Sequence, residues 1–190
     1  MNERLEDTVY FTFHDAINLE SANRVMDFCA KAVLQYKPKR LYFLFSSGGG
    51  LVDSGVTLFN YLRGLPQEII MHNVGSIDSI ANAVFLAGDV RYATPISAFL
   101  LHGISWTFQQ GAQLTYSQMQ ETISRFDAAE HLSAQIIGER SKLPEQEVRD
   151  LFRQGQSKDP KFALDKGLIH EIREVNIPMG APLHSIIKAG

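Results

Sequence analysis

One serine in this 190-residue chain stands where a nucleophile could be activated. Ser79 precedes an almost continuous apolar run, Ile80 to Ala87, which predicts a buried helix that begins at the serine. Free backbone N–H groups and positive dipole potential gather at the start of a helix, so a developing oxyanion would be stabilised there. Serine is also among the commonest residues that cap helices without doing chemistry. Cap and nucleophile are therefore both open interpretations of Ser79.

A catalytic serine needs a base to take its proton and an acid to orient that base. His102 follows an apolar segment, residues 96–101, that predicts a short strand. At such a place a histidine can serve as the base or as an ordinary structural residue. The chain offers several acids, and spacing along the sequence does not choose among them.

The elements that must position these residues alternate between strand and helix patterns. Strands are predicted at residues 8–13, 40–45, 69–74, 90–93 and 96–101, and helices at about 19–36, 52–62 and 79–88. The strand at 40–45 is apolar on both faces, as in the middle of a sheet that helices cover on both sides. This order predicts an α/β fold with a largely parallel sheet.

Beyond His102 a polar and aromatic connector leads into a long helix predicted at about residues 116–140. Roughly 25 helical residues span about 37 Å, more than a domain of this size needs across its core. We therefore expect part of this helix to leave the globule, with an exposed stripe of Met119, Ile123 and Phe126 that forms an interface. The alternative is that the helix bends back and the stripe is ordinary core.

The remaining chain predicts further short elements and no break between domains. Helices are predicted from residue 144 and at 161–166, followed by a strand at 168–172, and the last residues resemble an arm or tail. We find no internal repeat or linker. A single domain over residues 1–190 is the expectation.

Composition and charge exclude several classes of function. Hydrophobic residues make up 45% and charged residues 21%, as in ordinary soluble domains. A formal net charge of −3 gives no basic field for nucleic acid or an anionic membrane. Cys29 is the only cysteine, which excludes a disulfide framework and a multi-cysteine zinc site, and we expect no metal or cofactor. With no secretory signal and no apolar run long enough to cross a bilayer, a cytoplasmic protein is expected.

Three successive segments resemble signatures of the Clp protease proteolytic subunit. They are SSGGGLVDSG at 46–55, GSIDSIANAVFLAG at 75–88 and PISAFLLHG at 95–103. In that family a strand leads into a glycine-containing turn, the nucleophilic serine opens a buried helix, and the base ends a strand. PEQEVRD at 144–150 and ALDKGLIHEI from Ala163 extend the resemblance, which covers most of the chain in the family's order.

Carried over residue by residue, the resemblance implies a role for each part of the site. Ser79 would be the nucleophile and His102 the general base. Gly50 and Ile80 would donate the two oxyanion-hole N–H groups. Gly50 suits that role because a residue without Cβ lets the backbone approach a substrate closely.

The acid is the least determined member of the implied triad. Asp150 lies in the segment that resembles the family's acid segment, but the distance from it to Gly167 is longer than the family's and requires an insertion. A gapless match backwards from Gly167 puts Gly155 at the acid's place. Asp127 in the long helix is a more remote candidate, and its alternative is a solvated surface charge.

The sequence also departs from the family's pattern around the site. Ser46 and Gly48 stand where the family's turn has Asn and Pro, and Gly103 follows the base where Gln is usual. Asp78 directly precedes the serine where a small residue is usual, and its carboxylate would destabilise an oxyanion that it faced. The family's glycine-rich substrate strand corresponds here to WTFQQGAQ at 106–113. These departures favour a divergent, specialised or inactive member.

The resemblance implies a ClpP/crotonase-type α/β fold with a projecting handle at about residues 104–142 and a tail at about 176–190. It also implies a serine endopeptidase that acts on polypeptides through a Ser-His-Asp triad and an acyl-enzyme. Family members form stacked rings, so a homo-oligomer is expected, and a Clp-type ATPase is the partner that the resemblance suggests. Two alternatives stay open: a crotonase-type acyl-CoA enzyme, which needs no serine nucleophile, and a non-catalytic subunit of a mixed ring.

Overall fold

The structure is a computed structural model that describes residues 5–105 and 113–186. Residues 106–112, most of the segment that corresponds to the substrate strand, and residues 187–190 of the expected tail lie outside this description. The strands are β1 Thr8–His14, β2 Arg40–Ser47, β3 Glu68–Asp78, β4 Val90–Ala93, β5 Ala98–Leu100, β6 Ser157–Lys158, β7 Glu171–Ile172 and β8 Leu183–Ser185. The helices are α1 Leu19–Tyr36, α2 Val52–Gly64, α3 Ala81–Phe85, α4 Tyr116–Arg140, α5 Glu145–Gln154 and α6 Pro160–Asp165.

The strands form one mostly parallel sheet, which confirms the predicted α/β class. Its order is β6-β5-β3-β2-β1-β8, and β4 pairs with β3 and with β7. Only the β5–β6 pairing is antiparallel among the described strands. Strand β2 is buried at almost every position because helices and the C-terminal segment cover its two faces.

Strand β3 is longer than predicted, and its extension carries the chain to Ser79. Its first half pairs with β2 and β4, whereas its last three residues, 76–78, pair with β5. The register against β2 shifts between Phe45 and Ser47 at this point. The prediction ended at residue 74 because Gly75, Ser76 and Asp78 are poor strand formers, and pairing with β5 overrides that preference.

Helix α1 has the predicted bounds and supplies much of the core beneath the sheet. Asn18 and Ser21 form a reciprocal capping box at its start, and Lys37 in a left-handed conformation ends it. Cys29 lies on its inner face and is wholly buried. Burial raises the pKa of the Cys29 thiol to about 12, so it is a small core residue as expected.

The helix predicted to begin at Ser79 is shorter and begins later. Helix α3 spans Ala81–Phe85, Ile80 precedes it, and no side chain caps its first turn. The interpretation of Ser79 as a helix cap is therefore wrong. Tertiary hydrogen bonds hold this serine in a different conformation, as described below.

Helix α4 leaves the globule over most of its length. Its buried residues lie in its last third and include Ser133, Ala134 and Ile137. Two residues of the predicted stripe are exposed, Met119 at 45% and Ile123 at 60% of their full accessibility, whereas Phe126 is half-buried. The expectation that the helix projects is confirmed, and the alternative that it bends back is wrong.

The C-terminal residues, expected as an arm or tail, partly join the sheet. Strand β8 pairs with β1. Val175 and Ile177 pack against a small hydrophobic cluster of buried side chains, which are Tyr10, Tyr42, Leu44 and Ile70. Beneath this cover His72 is wholly buried. Its Nδ1 lies 2.8 Å from the Tyr42 hydroxyl, and its Nε2 lies 3.0 Å from the carbonyl oxygen of Arg173.

Within residues 5–105 and 113–186, no helix has the length and apolar character of a membrane span.

Candidate active site

Ser79 lies in a strained turn directly after β3. Its φ of +57° is a left-handed conformation that non-glycine residues rarely adopt. Two backbone hydrogen bonds hold it there, from the Ser79 N–H to the Leu100 carbonyl (2.9 Å) and from the Asn82 N–H to the Ser79 carbonyl (3.1 Å). Among the residues that the structure describes, none forms a hydrogen bond with the Ser79 hydroxyl. Strain maintained by surrounding bonds is typical of functional positions.

Asn82 is a buried positioning residue that the sequence analysis missed. Its amide Nδ2 donates to the carbonyl oxygens of Leu100 (2.9 Å), Ser79 (3.0 Å) and Ile77 (3.3 Å). These bonds join the serine turn to β5. The available signal was that Asn82 is the only polar residue in the apolar run from Ile80 to Ala87.

The glycine turn after β2 lies directly against the serine. A Cβ on Gly49, whose φ is +86°, would lie only 2.7 Å from the Ser79 Cβ, so glycine is required there. Gly50 is equally constrained, since its Cβ would lie 2.1 Å from the Ile17 carbonyl oxygen. Ile17 fixes the turn by donating to the Gly49 carbonyl (2.8 Å) and accepting from the Leu51 N–H (2.7 Å). The sequence analysis singled out Gly50 and missed Gly49.

The two N–H groups expected to form an oxyanion hole flank this contact. Gly50 forms a parallel bridge with Ile17, and the hydrogen bonds of this bridge are made by Gly49 and Leu51. The N–H of Gly50 itself therefore points away from Ile17. Ile80 directly follows the serine. Neither the Gly50 nor the Ile80 N–H has a hydrogen-bond partner in the described part of the chain. Both donors are therefore available to a ligand.

His102 lies just beyond β5, which is shorter than the predicted strand. The ring is half-buried, and its Nδ1 lies 2.7 Å from the Gly103 carbonyl oxygen. Because a carbonyl can only accept, Nδ1 carries the proton and Nε2 of the neutral ring is unprotonated, as a general base requires. Within the described ranges no hydrogen bond joins His102 to Ser79. The bond from the Ser79 N–H to Leu100 nevertheless keeps the two residues on adjoining segments.

Neither candidate acid, Asp150 or Asp127, is hydrogen-bonded to His102 within the described residues. Asp150 is exposed on α5, and its carboxylate accepts from Arg153 (2.8 Å) and from Gln146 (3.3 Å). It shares no hydrogen bond with His102 in residues 5–105 and 113–186. Asp127 is exposed on α4. The role of Asp150 as the orienting acid stays a prediction.

Asp78, the unusual residue before the serine, is bonded along its own strand. Its Oδ1 accepts a hydrogen bond of 2.5 Å from the Ser76 hydroxyl. Residues two apart on a strand lie on the same face, so this bond keeps the carboxylate beside β3. The side chain is thus tied to Ser76 next to the candidate nucleophile.

A cavity of about 500 Å³ adjoins the glycine turn and the middle of α4. Its lining is mostly apolar, with two charged residues, and includes Gly50, Ile104, Phe126, Leu132, Asp53 and Arg125. Because Gly50 also carries a candidate oxyanion donor, a group in this cavity would lie next to that donor.

The described residues contain no cluster of three or more His, Cys, Asp or Glu side chains that could bind a metal ion.

Comparison with known proteins agrees with this architecture. The family model of the Clp protease matches residues 1–176. The chain therefore belongs to the Clp protease family, a family of peptidases.

Several relatives are named as subunits of the same protease. The chain is 27% identical over 145 residues to ATP-dependent Clp protease proteolytic subunit 2 of Pseudomonas aeruginosa, which covers 73% of the chain and 70% of that protein. It is 23% identical over 158 residues to subunit 1 of Leifsonia xyli, covering 82% and 78%. It is 20% identical over 165 residues to the subunit of Oenothera elata, covering 86% of the chain and 66% of the relative. All three are distant relatives.

Proposed function

We propose that this chain is a serine endopeptidase that cleaves polypeptides through Ser79. The observation that carries the proposal is the strained Ser79 turn, which packs against the glycine turn at Gly49 and whose hydroxyl is unbonded within the described residues. Membership of a peptidase family and relatives named as Clp proteolytic subunits support it. Ser79 is the nucleophile, His102 the general base, and Gly50 and Ile80 the oxyanion donors.

The first half of the reaction forms an ester on the serine. The Ser79 Oγ attacks the carbonyl carbon of the peptide bond while its proton passes to Nε2 of His102. The carbonyl oxygen becomes an oxyanion that accepts hydrogen bonds from the Gly50 and Ile80 N–H groups. The C–N bond then breaks, and the leaving amine takes the proton from Nε2.

The second half releases the acyl group. A water molecule gives a proton to Nε2 of His102 as its oxygen attacks the ester carbon. The bond to Oγ breaks, Oγ recovers the proton, and the peptide leaves as a carboxylic acid. Serine and histidine return to their starting protonation states.

The apolar cavity beside Gly50 supports a preference for peptides with an apolar residue before the cleaved bond. A side chain in this cavity would bring its own carbonyl close to the Gly50 N–H. We expect peptides with leucine or methionine at this position to be cleaved faster than the matched aspartate peptide, by roughly tenfold or more for the difference in burial.

The decisive experiment is labelling with a fluorophosphonate, which forms a covalent bond with an activated serine. We expect the wild-type protein to be labelled on Ser79 and to hydrolyse a fluorogenic peptide. Ser79→Ala should lose both, whereas Ser124→Ala, a control at an exposed serine on α4, should keep both. Labelling elsewhere, or peptidase activity that persists in pure Ser79→Ala protein, contradicts the proposal. A crotonase-type acyl-CoA enzyme would take no label.

A second candidate function is a non-catalytic subunit of a mixed ring. The observation that favours it is the position of Asp150, which is bonded to Arg153 and Gln146 instead of His102. Such a subunit would take no fluorophosphonate label by itself and would add no activity to an active relative. Labelling of the purified chain on Ser79 therefore rules it out.

We also propose that the chain assembles into rings through α4. The exposed side chains of Met119 and Ile123 support an interface, because burying these two would contribute on the order of 3 kcal/mol before the cost of association. Ile123→Glu should yield smaller, folded species by light scattering. Ser124→Glu on a neighbouring exposed position should not. A wild-type chain that is monomeric across micromolar concentrations would contradict assembly into rings. The proposal of a Clp-type ATPase partner requires the same assembly.

A further inference from the structure

The hydrogen bond of His102 is local, and it fixes the tautomer and orientation of the ring, which is one of the two things an orienting acid would do. Nδ1 donates to the carbonyl of the next residue, Gly103, at 2.7 Å. Gly103 itself is anchored from the other side, because its N–H donates to the Phe152 carbonyl at 3.1 Å. The acceptor beside the base is therefore a main-chain group held by a second element.

The segment that runs beside His102 is known from two contacts that bracket it. Leu100 pairs with Ser157 in the β5–β6 ladder, and Gly103 bonds to Phe152. Residues 153–156 therefore pass alongside His102. A side chain that reached the base from α5 or β6 would have to come from this stretch.

Gly155 is the residue in this stretch that has no side chain, and the space where one would begin is open. It ends α5 in a left-handed conformation with φ of +56°, and a Cβ built on it meets nothing within 4 Å. Asp150 lies five residues earlier and is ion-paired with Arg153 on the exposed side of α5. The position beside the base thus has space but no carboxylate.

We infer that the Gly103 carbonyl orients His102, so that Ser79 and His102 act as a dyad without a carboxylate. This inference rests on the proposed function, since it concerns the base of the same reaction. The Nδ1 proton stays on the ring throughout, donating to the Gly103 oxygen, while Nε2 takes and returns the serine proton. Gly103 is a positioning residue, and a neutral carbonyl stabilises the imidazolium less than a carboxylate does.

The first test restores a charge at the empty position. Gly155→Asp should raise kcat/KM for a fluorogenic peptide by about tenfold, because a carboxylate stabilises the imidazolium that forms in the reaction. It should also move the pH at which activity rises upward by about one pH unit, because the ring then holds its proton more tightly.

Gly155→Asn is the matched control. Asparagine and aspartate tolerate the left-handed conformation about equally, so any strain is common to both variants. The control should show neither the gain nor the pH shift. A Gly155→Asp protein that behaves like Gly155→Asn would overturn the inference.

The second test removes the competing acid. Asp150→Asn should change kcat/KM by less than about threefold, whereas loss of an acid that orients the base costs on the order of 10⁴-fold in serine proteases. A loss of a hundredfold or more in folded Asp150→Asn protein would overturn the inference. If Ser79 were still labelled by fluorophosphonate in the wild type, the proposed function itself would stand. A wild type that is neither labelled nor active would instead contradict the proposed function.

A third measurement does not depend on activity. Nitrogen-15 NMR of histidine-labelled protein, with His102→Gln used to assign the signal, reports which ring nitrogen holds the proton. We expect the proton on Nδ1 when the ring is neutral, in both wild type and Asp150→Asn. A proton on Nε2 in the wild type would overturn the inference.

Discussion

Two histidines on the same sheet belong to regions that are built in opposite ways. His72 lies in β3 beneath the C-terminal segment, is wholly buried, and has both ring nitrogens hydrogen-bonded, one to Tyr42 and one to Arg173. His102 lies beyond β5, is half-buried, and has one bonded nitrogen, at Gly103. His72 thus has both ring nitrogens satisfied, whereas the region of His102 leaves a hydroxyl, a ring nitrogen and two N–H groups unbonded within the described residues.

The difference teaches how a structural histidine is separated from a chemical one. A ring with both nitrogens satisfied cannot accept a proton without disrupting a buried bond, so it contributes stability. A ring with one nitrogen fixed and the other open has a defined tautomer and a free lone pair. The partners of each nitrogen, more than burial alone, distinguish the two roles.

The largest effect should come from breaking the open region. His102→Gln removes the base and should lower kcat/KM by on the order of 10⁴-fold while changing the free energy of unfolding by less than about 0.5 kcal/mol. Peptide hydrolysis and urea unfolding measure the two quantities. Large destabilisation with activity retained would reverse the comparison.

The closed region should respond in the opposite way. Burial raises the pKa of Tyr42 to about 12, so its hydroxyl keeps the proton that it donates to His72. Tyr42→Phe leaves that nitrogen unsatisfied and should cost about 1–3 kcal/mol in urea unfolding, with activity within about twofold of wild type.

Tyr116→Phe is the control for this variant. Tyr116 is an exposed tyrosine at the start of α4, so losing its hydroxyl should change the unfolding free energy by less than about 0.5 kcal/mol. Equal changes in the unfolding free energy for the two variants would show that the buried hydrogen bond between Tyr42 and His72 contributes no more stability than an exposed hydroxyl does.

Asp78 tests how far the open region tolerates charge. If its carboxylate faced the oxyanion, removing the charge would raise the acylation rate up to roughly tenfold, for about 1.4 kcal/mol of relieved repulsion. Because Ser76 holds the carboxylate, we expect Asp78→Asn to change the rate of fluorophosphonate labelling by less than about threefold. A tenfold rise would mean that the carboxylate turns toward the reacting group.

The smallest effect is a pH dependence of stability from His72. Burial lowers the pKa of His72 below its usual value, so the unfolded chain takes up this proton first as the pH falls. Stability should therefore be lost as the pH drops below about 6.5 toward the folded-state pKa. Urea midpoints from pH 7 to pH 5 should fall, and His72→Gln should make the slope shallower. His170, whose pKa is lowered by burial and by the Arg91 charge, keeps part of the slope. A slope unchanged in His72→Gln would remove His72 as a cause.

The regular elements could be predicted from sequence because their patterns are strong. The apolar strand that contains Phe43, the helix that ends before Pro38 and the long α4 all have near-identical predicted and observed bounds. The end of β3 could not be predicted, because a distant strand, β5, supplies its partner. The interpretation of Ser79 as a cap is wrong for the same reason: local preference favours a cap, but a hydrogen bond to the Leu100 carbonyl and one from the Asn82 N–H hold a left-handed turn.

In the candidate site too, some features could be predicted from the sequence and others only from the fold. Ser79 and His102 could be proposed from the sequence, because a serine before an apolar run and a histidine after an apolar strand are visible there. The Gly103 carbonyl and the packing of Gly49 were not, since every residue has a carbonyl and only the fold shows which one faces the base. Asn82 was within reach, as a lone amide in an apolar helix.

The buried Cys29 has a practical consequence for studying assembly. Since only the thiolate reacts with maleimides, a thiol with a pKa of about 12 inside the core should remain unmodified in the native protein at neutral pH. A cysteine introduced at Ile123 would then be the sole reactive thiol of the folded chain. A fluorophore could be attached there without first removing the native cysteine, and energy transfer between two such labels would report directly on whether neighbouring subunits meet through α4.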